Sequence, residues 1–322
     1  MKLLWLLAEL RTPFLDKLFL LITELGGELS FIAVAVIVFW CFSKKNGYLL
    51  LSVGFLGMVM NQFLKISFKV LRPWDLDPHF EAVPEAVPDA GGFSFPSGHT
   101  QNSVGIFGTL ATITKKWWVR AICLSLCVIV PFSRMYLGVH TPLDVGFSFF
   151  FAIIVIYITR MIFEFAYSST KGMFIFLSSM GAIAVLFLVY VEFIFDPSTL
   201  AESQMHNYVS AQKNAYMILG ALIGVIISFP IERFLIKFDE KGKWYTQILK
   251  VTIGLLLVLG LLNGLKLPLN AILPENTIAR ALRYGIVVVF VIAVYPISFK
   301  WFRRLEDAIE KRRIAKKYSK DK

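Results

Sequence analysis

The sequence predicts an all-α fold: a polytopic transmembrane bundle of about nine helices, preceded by an N-terminal amphipathic helix at the membrane interface. Hydrophobic residues make up 57% of the 322 residues and charged residues only 17%, well below the roughly 25% of soluble domains. Apolar runs of about 15 to 22 residues recur along the chain, and each is close to the length that a helix needs to cross a bilayer. Since these runs lack the alternation of barrel strands, a helical bundle is the structure that satisfies the backbone in lipid.

The N-terminal stretch from Met1 to Leu25 mixes apolar and charged side chains, which favours a helix that lies along the membrane surface. Nine apolar runs follow it, and each is long enough, or nearly so, to cross the membrane. The expected spans are Leu29–Phe42, Tyr48–Phe68, Thr100–Thr114, Trp117–Leu137, Pro142–Ile162, Met173–Phe195, Ala211–Ile231, Tyr245–Leu265 and Ala281–Phe299.

The net charge of +11 would suggest a nucleic-acid partner if the protein were soluble. Here the basic residues collect in alternate loops, around Lys44, Lys115, Lys171 and Lys241, and in the tail that begins at Lys300. Because short cytoplasmic loops retain Lys and Arg, this alternation predicts that the chain starts outside and ends in the cytoplasm. Membrane orientation thus explains the charge, and we expect no nucleic-acid partner.

A pair of cations at the end of the second span is the first candidate site feature. Lys65 and Arg72 are seven residues apart, so on a helix they would share one face, and Pro73 is expected to end that helix just after Arg72. Snorkelling of interfacial side chains is the alternative explanation of this pair.

The turn Phe-Pro-Ser-Gly-His-Thr, residues 95–100, is the second feature and leads directly into an apolar run. Ser97 is placed as a helix cap, and Gly98 permits close approach to the free backbone N–H groups of the helix end. These groups predict a seat for an anion with His99 beside it. An ordinary turn is the alternative for this motif alone.

The third feature joins Arg134 to His140 and Asp144. Thr141 and Pro142 predict the cap and first residue of a helix, so that Asp144 lies in its first turn, within reach of one nitrogen of His140. A carboxylate there fixes the tautomer of the ring and makes the opposite nitrogen a nucleophile. A structural His–Asp cap is the alternative.

The predicted topology places all three features at the same extracytoplasmic surface, which favours a common site over three coincidences. Three cations, helix N-terminal amides and two histidines supply what phosphoryl transfer needs: charge neutralisation, an attacking group and a proton donor.

These motifs read K-x6-R-P from Lys65, P-S-G-H from Pro96 and S-R-x5-H-x3-D from Ser133. Together they resemble the three-part signature of the type 2 phosphatidic acid phosphatase (PAP2) superfamily. That superfamily also contains glucose-6-phosphatase, the sphingosine-phosphate phosphatases and the vanadium haloperoxidases. Every signature residue is present and in order, and the resemblance covers about residues 28–164.

The resemblance implies a membrane phosphatase that needs no metal or other cofactor and is sensitive to vanadate. His140 would attack phosphorus to give a phosphohistidine, Asp144 would orient it, and His99 would protonate the leaving group and then activate water. The residues expected to hold the phosphate oxygens are Lys65, Arg72, Arg134, Ser97 and Gly98.

The expected organisation is an interfacial segment at 1–27, a catalytic core at 28–168, additional transmembrane helices at 169–300 and a basic cytoplasmic tail at 301–322. This layout resembles the longer glucose-6-phosphatase and sphingosine-phosphate phosphatase branches. The additional helices could serve packing, form a homodimer or form a lipid groove. Gly220 and Gly224, four residues apart, suit close contact between helices.

A site at the membrane surface predicts a phosphorylated lipid within the bilayer as the partner. Candidates are a polyprenyl diphosphate, phosphatidate, phosphatidylglycerophosphate and a sphingoid-base phosphate. The alternatives are a sugar-phosphate phosphatase of the glucose-6-phosphatase type, a lipid phosphotransferase and a lipid transporter without activity. The active site is expected on the outer face of a bacterial plasma membrane or in an organelle lumen.

Overall fold

The computed structural model describes residues 1–273 and 276–318, and these residues form helices and loops without a β-strand. The helices, in chain order, are α1 (Lys2–Glu9), α2 (Pro13–Thr23), α3 (Glu28–Cys41), α4 (Lys44–Phe68), α5 (Pro73–Leu76), α6 (Gly98–Ser103), α7 (Thr109–Ile113), α8 (Trp117–Tyr136), α9 (Pro142–Tyr167), α10 (Thr170–Val189), α11 (Met205–Pro230), α12 (Trp244–Gly264), α13 (Lys266–Ile272), α14 (Asn276–Val289) and α15 (Phe299–Tyr318). The predicted tail at 301–322 belongs to α15, and its last four residues lie outside the described residues.

Seven helical segments in the described part of the chain are long and apolar enough to cross a membrane. They are Lys44–Leu76, Trp117–Tyr136, Pro142–Tyr167, Thr170–Ile194, Glu202–Ile236, Trp244–Ile272 and Thr277–Ile314. An eighth arises if Pro13–Gly26 and Glu28–Cys41, bent by 51°, are counted as one span. The predicted span Thr100–Thr114 is a shorter helix, in which the π-helical turn Val104–Gly108 joins α6 to α7. The predicted all-α bundle of about nine spans agrees with this count.

The N-terminal segment folds as two helices, where the sequence predicted one. Thr12 caps α2 through its side chain and Pro13 is the first residue of that helix, so the chain turns between α1 and α2. Arg11, in this turn, donates to the carbonyl oxygens of Tyr136 (3.2 Å) and Glu81 (2.7 Å). The segment is therefore tied to the loops that carry the predicted site residues.

The basic loops gather at the end of the bundle opposite the signature residues. Lys44 begins α4 and lies 21 residues before Lys65, which separates their backbones by about 32 Å along the helix. An ion pair of 2.7 Å joins Lys44 to Glu232, and another of 2.8 Å joins Arg303 to Asp239. One end of the bundle thus collects basic loops and the other carries the signature residues.

The close helix contact expected at Gly220 and Gly224 is present between α11 and α14. A Cβ atom at Gly220 would lie 2.0 Å from the carbonyl oxygen of Ala281, and one at Gly224 would lie 2.7 Å from that of Gly285. Only glycine permits this approach, which fixes α14 against α11.

Candidate active site

The signature side chains surround one cavity of about 440 Å³. The predicted site residues that line it are Lys65, Arg72, Gly98, His99, Arg134 and His140. Ionisable residues from outside the signature also line it, namely Glu24, Glu28, Asp89, Lys213 and Arg280. Residues separated by more than 250 positions in the sequence therefore form a single chamber.

The prediction that Lys65 and Arg72 share one helix face was wrong. Helix α4 ends at Phe68, because Lys69 takes a left-handed backbone conformation (φ 52°). Arg72 is extended (φ −72°, ψ 158°), as expected for a residue before proline, since the ring of Pro73 disfavours helical backbone there. The two cations reach the same cavity from a helix and from a loop.

Backbone carbonyl groups hold both cations in place. Lys65 donates from Nζ to the carbonyl oxygen of Phe93. Arg72 donates from Nε to Gly92 O (3.2 Å) and from Nη2 to Gly91 O (2.9 Å). Because the acceptors are neutral dipoles rather than carboxylates, the positive charge of each side chain remains available to an anion in the cavity.

Arg134 is fully buried and only partly hydrogen-bonded. Its Nη1 donates to Thr23 Oγ1 on α2 at 2.8 Å. Its Nε and Nη2 atoms have no hydrogen-bond partner among the described residues. Leaving such buried donors unsatisfied costs about 1–3 kcal/mol each, so an anionic ligand that accepts from them would recover this cost.

The P-S-G-H turn begins α6, as predicted, but its residues take different positions. Ser97 is buried behind the cavity wall, where its Oγ accepts from the backbone N–H of Thr100 at 3.4 Å. Gly98 and His99 lie on the wall. The structure therefore assigns Ser97 to the helix cap and leaves the amide end and the imidazole of His99 facing the cavity.

A tight turn before α9 presents His140. Gly138 has a φ of 76°, and a Cβ atom there would lie 2.5 Å from Nη2 of Arg11, so the turn requires glycine. Thr141 caps α9 and Pro142 is its first residue, as predicted from the sequence. His140 is held at the cavity between this turn and the helix.

Asp144 lies on the Nδ1 side of His140 and contacts the turn before α9. Its Oδ2 accepts from the backbone N–H of Thr141 (2.7 Å) and from Ser94 Oγ (2.6 Å), and lies 3.7 Å from His140 Nδ1. Ser94 Oγ lies 3.5 Å from the same nitrogen. Ser94 thus bridges the carboxylate and the imidazole, a role that the sequence did not indicate.

His140 is surrounded by positive charge. Its Nε2 lies 3.1 Å from Nη1 of Arg72. Burial, followed by the charges of Arg72, Lys65 and Arg134, lowers the pKa of His140 well below its ordinary value of 6.5. The ring is therefore neutral at pH 7, which is the form that a nucleophile requires.

Sequence reasoning missed the cavity residues that come from the two ends of the chain. Glu24 and Glu28 flank the turn before α3, and Lys213 and Arg280 lie on α11 and α14. The available signal was strongest for Lys213, a charge inside an apolar run predicted to span the membrane. The two remaining histidines, His79 and His206, are exposed.

Comparison with known families agrees with the signature. The PAP2 superfamily model matches residues 45–168, and the model described as PAP2 superfamily phosphatase, transmembrane extension, matches residues 216–307. The chain belongs to the PAP2 superfamily.

Individual relatives are lipid phosphatases by name. Undecaprenyl-diphosphatase of Sulfolobus acidocaldarius is 31% identical over 41% of this chain and 62% of its own length. Phosphatidylglycerophosphatase B of Bacillus subtilis is 30% identical over 43% of this chain and 71% of its own length. A probable sphingosine-1-phosphate phosphatase of Dictyostelium discoideum is 30% identical over 42% and 35%. The chain thus spans less than two thirds of the first and third of these relatives, and no solved structure matches it.

Proposed function

We propose that the protein is a membrane phosphatase that hydrolyses a lipid phosphate monoester or diphosphate through a phosphohistidine at His140. One observation carries this proposal: a buried histidine, whose pKa is lowered by its surroundings, faces a cavity whose wall also bears Lys65, Arg72 and Arg134. Three cations around one nucleophile match the charge of a phosphoryl group in transfer.

In the first step, His140 Nε2 attacks phosphorus as the bond from phosphorus to the lipid oxygen breaks. Burial, followed by the charges of Arg134, Lys65 and Arg72, lowers the pKa of His99, whereas the negative charge of a bound phosphate raises it. The substrate thus favours the protonated ring of His99, which donates its proton to the leaving oxygen. Asp144 and Ser94, on the Nδ1 side of the ring, stabilise the positive charge that the imidazole acquires. The unpaired donors of Arg134 would bind phosphate oxygens.

In the second step, water replaces the histidine on phosphorus. His99, now neutral, accepts a proton from this water as the water oxygen bonds to phosphorus. The bond between phosphorus and His140 then breaks, which releases inorganic phosphate and restores the neutral imidazole. No group outside the chain is consumed except water.

A lipid substrate is supported by an apolar crevice beside the polar cavity. Side chains of α3, α4, α11, α12 and α14 line this crevice. It shares Glu28, Met58 and Met217 with the polar cavity, so the apolar part of a lipid next to its headgroup would meet apolar side chains there. A soluble sugar phosphate has no apolar part that would contact this crevice.

We assign the site to the extracytoplasmic face because the basic loops lie at the opposite end of the bundle. Single cysteines at Lys115 and Glu85, both exposed, in a background without the native three cysteines, would test this. We expect an impermeant thiol reagent added outside to label Glu85→Cys but not Lys115→Cys. The reverse pattern would overturn the orientation.

The activity is tested with purified protein and a panel of phosphates: polyprenyl diphosphate, phosphatidate, sphingoid-base phosphate and glucose 6-phosphate. We expect phosphate release from lipids in the presence of a chelator, inhibition by vanadate and loss of turnover in His140→Ala. His206→Ala is the control, since His206 is exposed and outside the cavity lining. Normal hydrolysis by His140→Ala would exclude the histidine mechanism.

A further inference from the structure

The C-terminal helices provide a second polar wall of the catalytic cavity, in addition to the signature residues. Ser210, Lys213, Asn214 and Met217 all line the cavity. Their spacing of three, four and seven residues places them on one face of α11. The first three interrupt the apolar surface of this helix with polar side chains, so the face is suited to a polar headgroup.

Lys213 is the cation of this wall that lacks a counter-charge. It belongs to the segment Glu202–Ile236, which is apolar enough to span a membrane, and a charged side chain within a span is costly unless it faces water or a ligand. Among the described residues it forms no ion pair. Its position on the cavity wall gives it access to an anion.

Arg280 adds a second cation from α14. Ala281, the residue after Arg280, contacts Gly220, and this contact holds that part of α14 against α11. Nη2 of Arg280 lies 3.8 Å from Met217 Sδ, and Nε has no hydrogen-bond partner in the described part of the chain. The guanidinium therefore has donors to offer to a ligand.

Among the described residues, none of the three carboxylates of the cavity forms an ion pair with a cavity cation. The charges of Glu24 and Asp89 act on Arg134 from a greater distance, and that of Glu28 acts on Arg280. Five cations and three carboxylates line the cavity, so positive charge exceeds negative by two, and Lys213 carries part of that excess away from the nucleophile.

We propose that Lys213 and Arg280 bind a second phosphate group of the substrate while the first reacts at His140. This inference rests on the proposed phosphatase function and narrows its substrate to lipids that carry two phosphates. The two phosphates are either joined in a diphosphate or attached at separate positions of one headgroup, and the same two cations serve both cases.

The kinetic test compares matched substrates with one and two phosphates. One pair is a polyprenyl monophosphate and its diphosphate, and the other is phosphatidate and phosphatidylglycerophosphate, so the pairs separate joined from distant phosphates. The variants are Lys213→Gln and Arg280→Gln. Lys266→Gln is the control, because Lys266 begins α13, is exposed and is not among the described residues that line the cavity.

We expect each cavity variant to lower kcat/KM by about 10- to 100-fold for a two-phosphate substrate of at least one pair. The values for the matched monophosphates should change by less than about threefold, and Lys266→Gln should leave both unchanged. An equal fall for both members of each pair, or no fall for any substrate, would overturn the second subsite.

A binding measurement separates this inference from the proposed function. Inorganic pyrophosphate should raise the melting temperature of the wild-type protein more than inorganic phosphate does, and Lys213→Gln should remove the difference. Equal shifts in the wild type would refute a subsite for joined phosphates whether or not the enzyme turns over, and the kinetic comparison of phosphatidate with phosphatidylglycerophosphate then decides the case of separate phosphates. Failure of the wild type to release phosphate from any lipid would instead refute the proposed function.

Discussion

Replacing Ser94 with alanine is expected to slow catalysis without weakening substrate binding. The hydroxyl donates to Asp144 Oδ2 at 2.6 Å and lies 3.5 Å from His140 Nδ1. Asp144 is buried, and its Oδ1 has no hydrogen-bond partner among the described residues, so the variant would leave the backbone N–H of Thr141 as the principal donor to this carboxylate. A hydrogen bond to a charged group contributes about 1.5–3 kcal/mol.

That energy matters most when the ring of His140 becomes positively charged. If the whole contribution is lost in that step, kcat falls by about 10- to 160-fold. KM should stay within about twofold, because Ser94 does not contact a bound substrate directly if the substrate occupies the cavity as proposed.

Initial rates of phosphate release from a lipid phosphate, measured over a range of substrate concentrations, provide the values of kcat and KM. Ser103→Ala is the matched control, since Ser103 is equally buried but its hydroxyl donates only to the carbonyl oxygen of Thr100, at 3.2 Å. A Ser94→Ala enzyme with the wild-type kcat, or one in which only KM rises, would refute the positioning role.

Three further changes have defined expectations. Because burial and neighbouring cations lower the pKa of His140, protonation of His140 should abolish kcat/KM only below pH 6.5. A pH–rate profile whose acidic limb lies above pH 6.5 would contradict the lowered pKa. Arg134→Lys should lower kcat/KM about 10- to 100-fold, since lysine cannot supply both unpaired guanidinium donors; phosphate-release kinetics with wild-type values would argue against these contacts. Gly220→Leu should destabilise the protein by about 1–3 kcal/mol, because its Cβ would collide with Ala281 O, whereas Gly260→Ala, in open space, should not. Thermal unfolding in detergent measures both effects, and equal melting temperatures of the two variants would contradict the packing argument.

The helices could be predicted because each apolar run must satisfy its backbone within lipid, and the predicted span Pro142–Ile162 corresponds to α9, Pro142–Tyr167. The break at Lys69 could not, since the sequence has no glycine there to indicate a left-handed residue. The turn between α1 and α2 likewise follows from its contacts with Tyr136 and Glu81, which are distant in sequence.

Some residues of the site could likewise be predicted from the sequence, and others could not. His99, His140 and Arg134 were recognisable because cap chemistry and motif spacing place them at helix ends. Ser94 was missed since its role depends on how a loop folds against α9. Lys213 was missed as a cavity residue because which side of a helix faces the core depends on tertiary packing.

The carbonyl groups of Gly91, Gly92 and Phe93 hold Lys65 and Arg72 without neutralising them. In the proposed reaction, the inorganic phosphate product contacts the same two positive charges as the substrate, so the attraction that favours substrate binding also slows product release. All three carbonyls belong to one short loop, but Arg72 also donates from Nη1 to the carbonyl oxygen of Val139 at 2.8 Å, in the turn before α9. Lys65 is therefore positioned by the first loop, and Arg72 by both. In the proposed phosphatase, phosphate release is then a step separate from bond cleavage, and the positions of these two cations influence its rate.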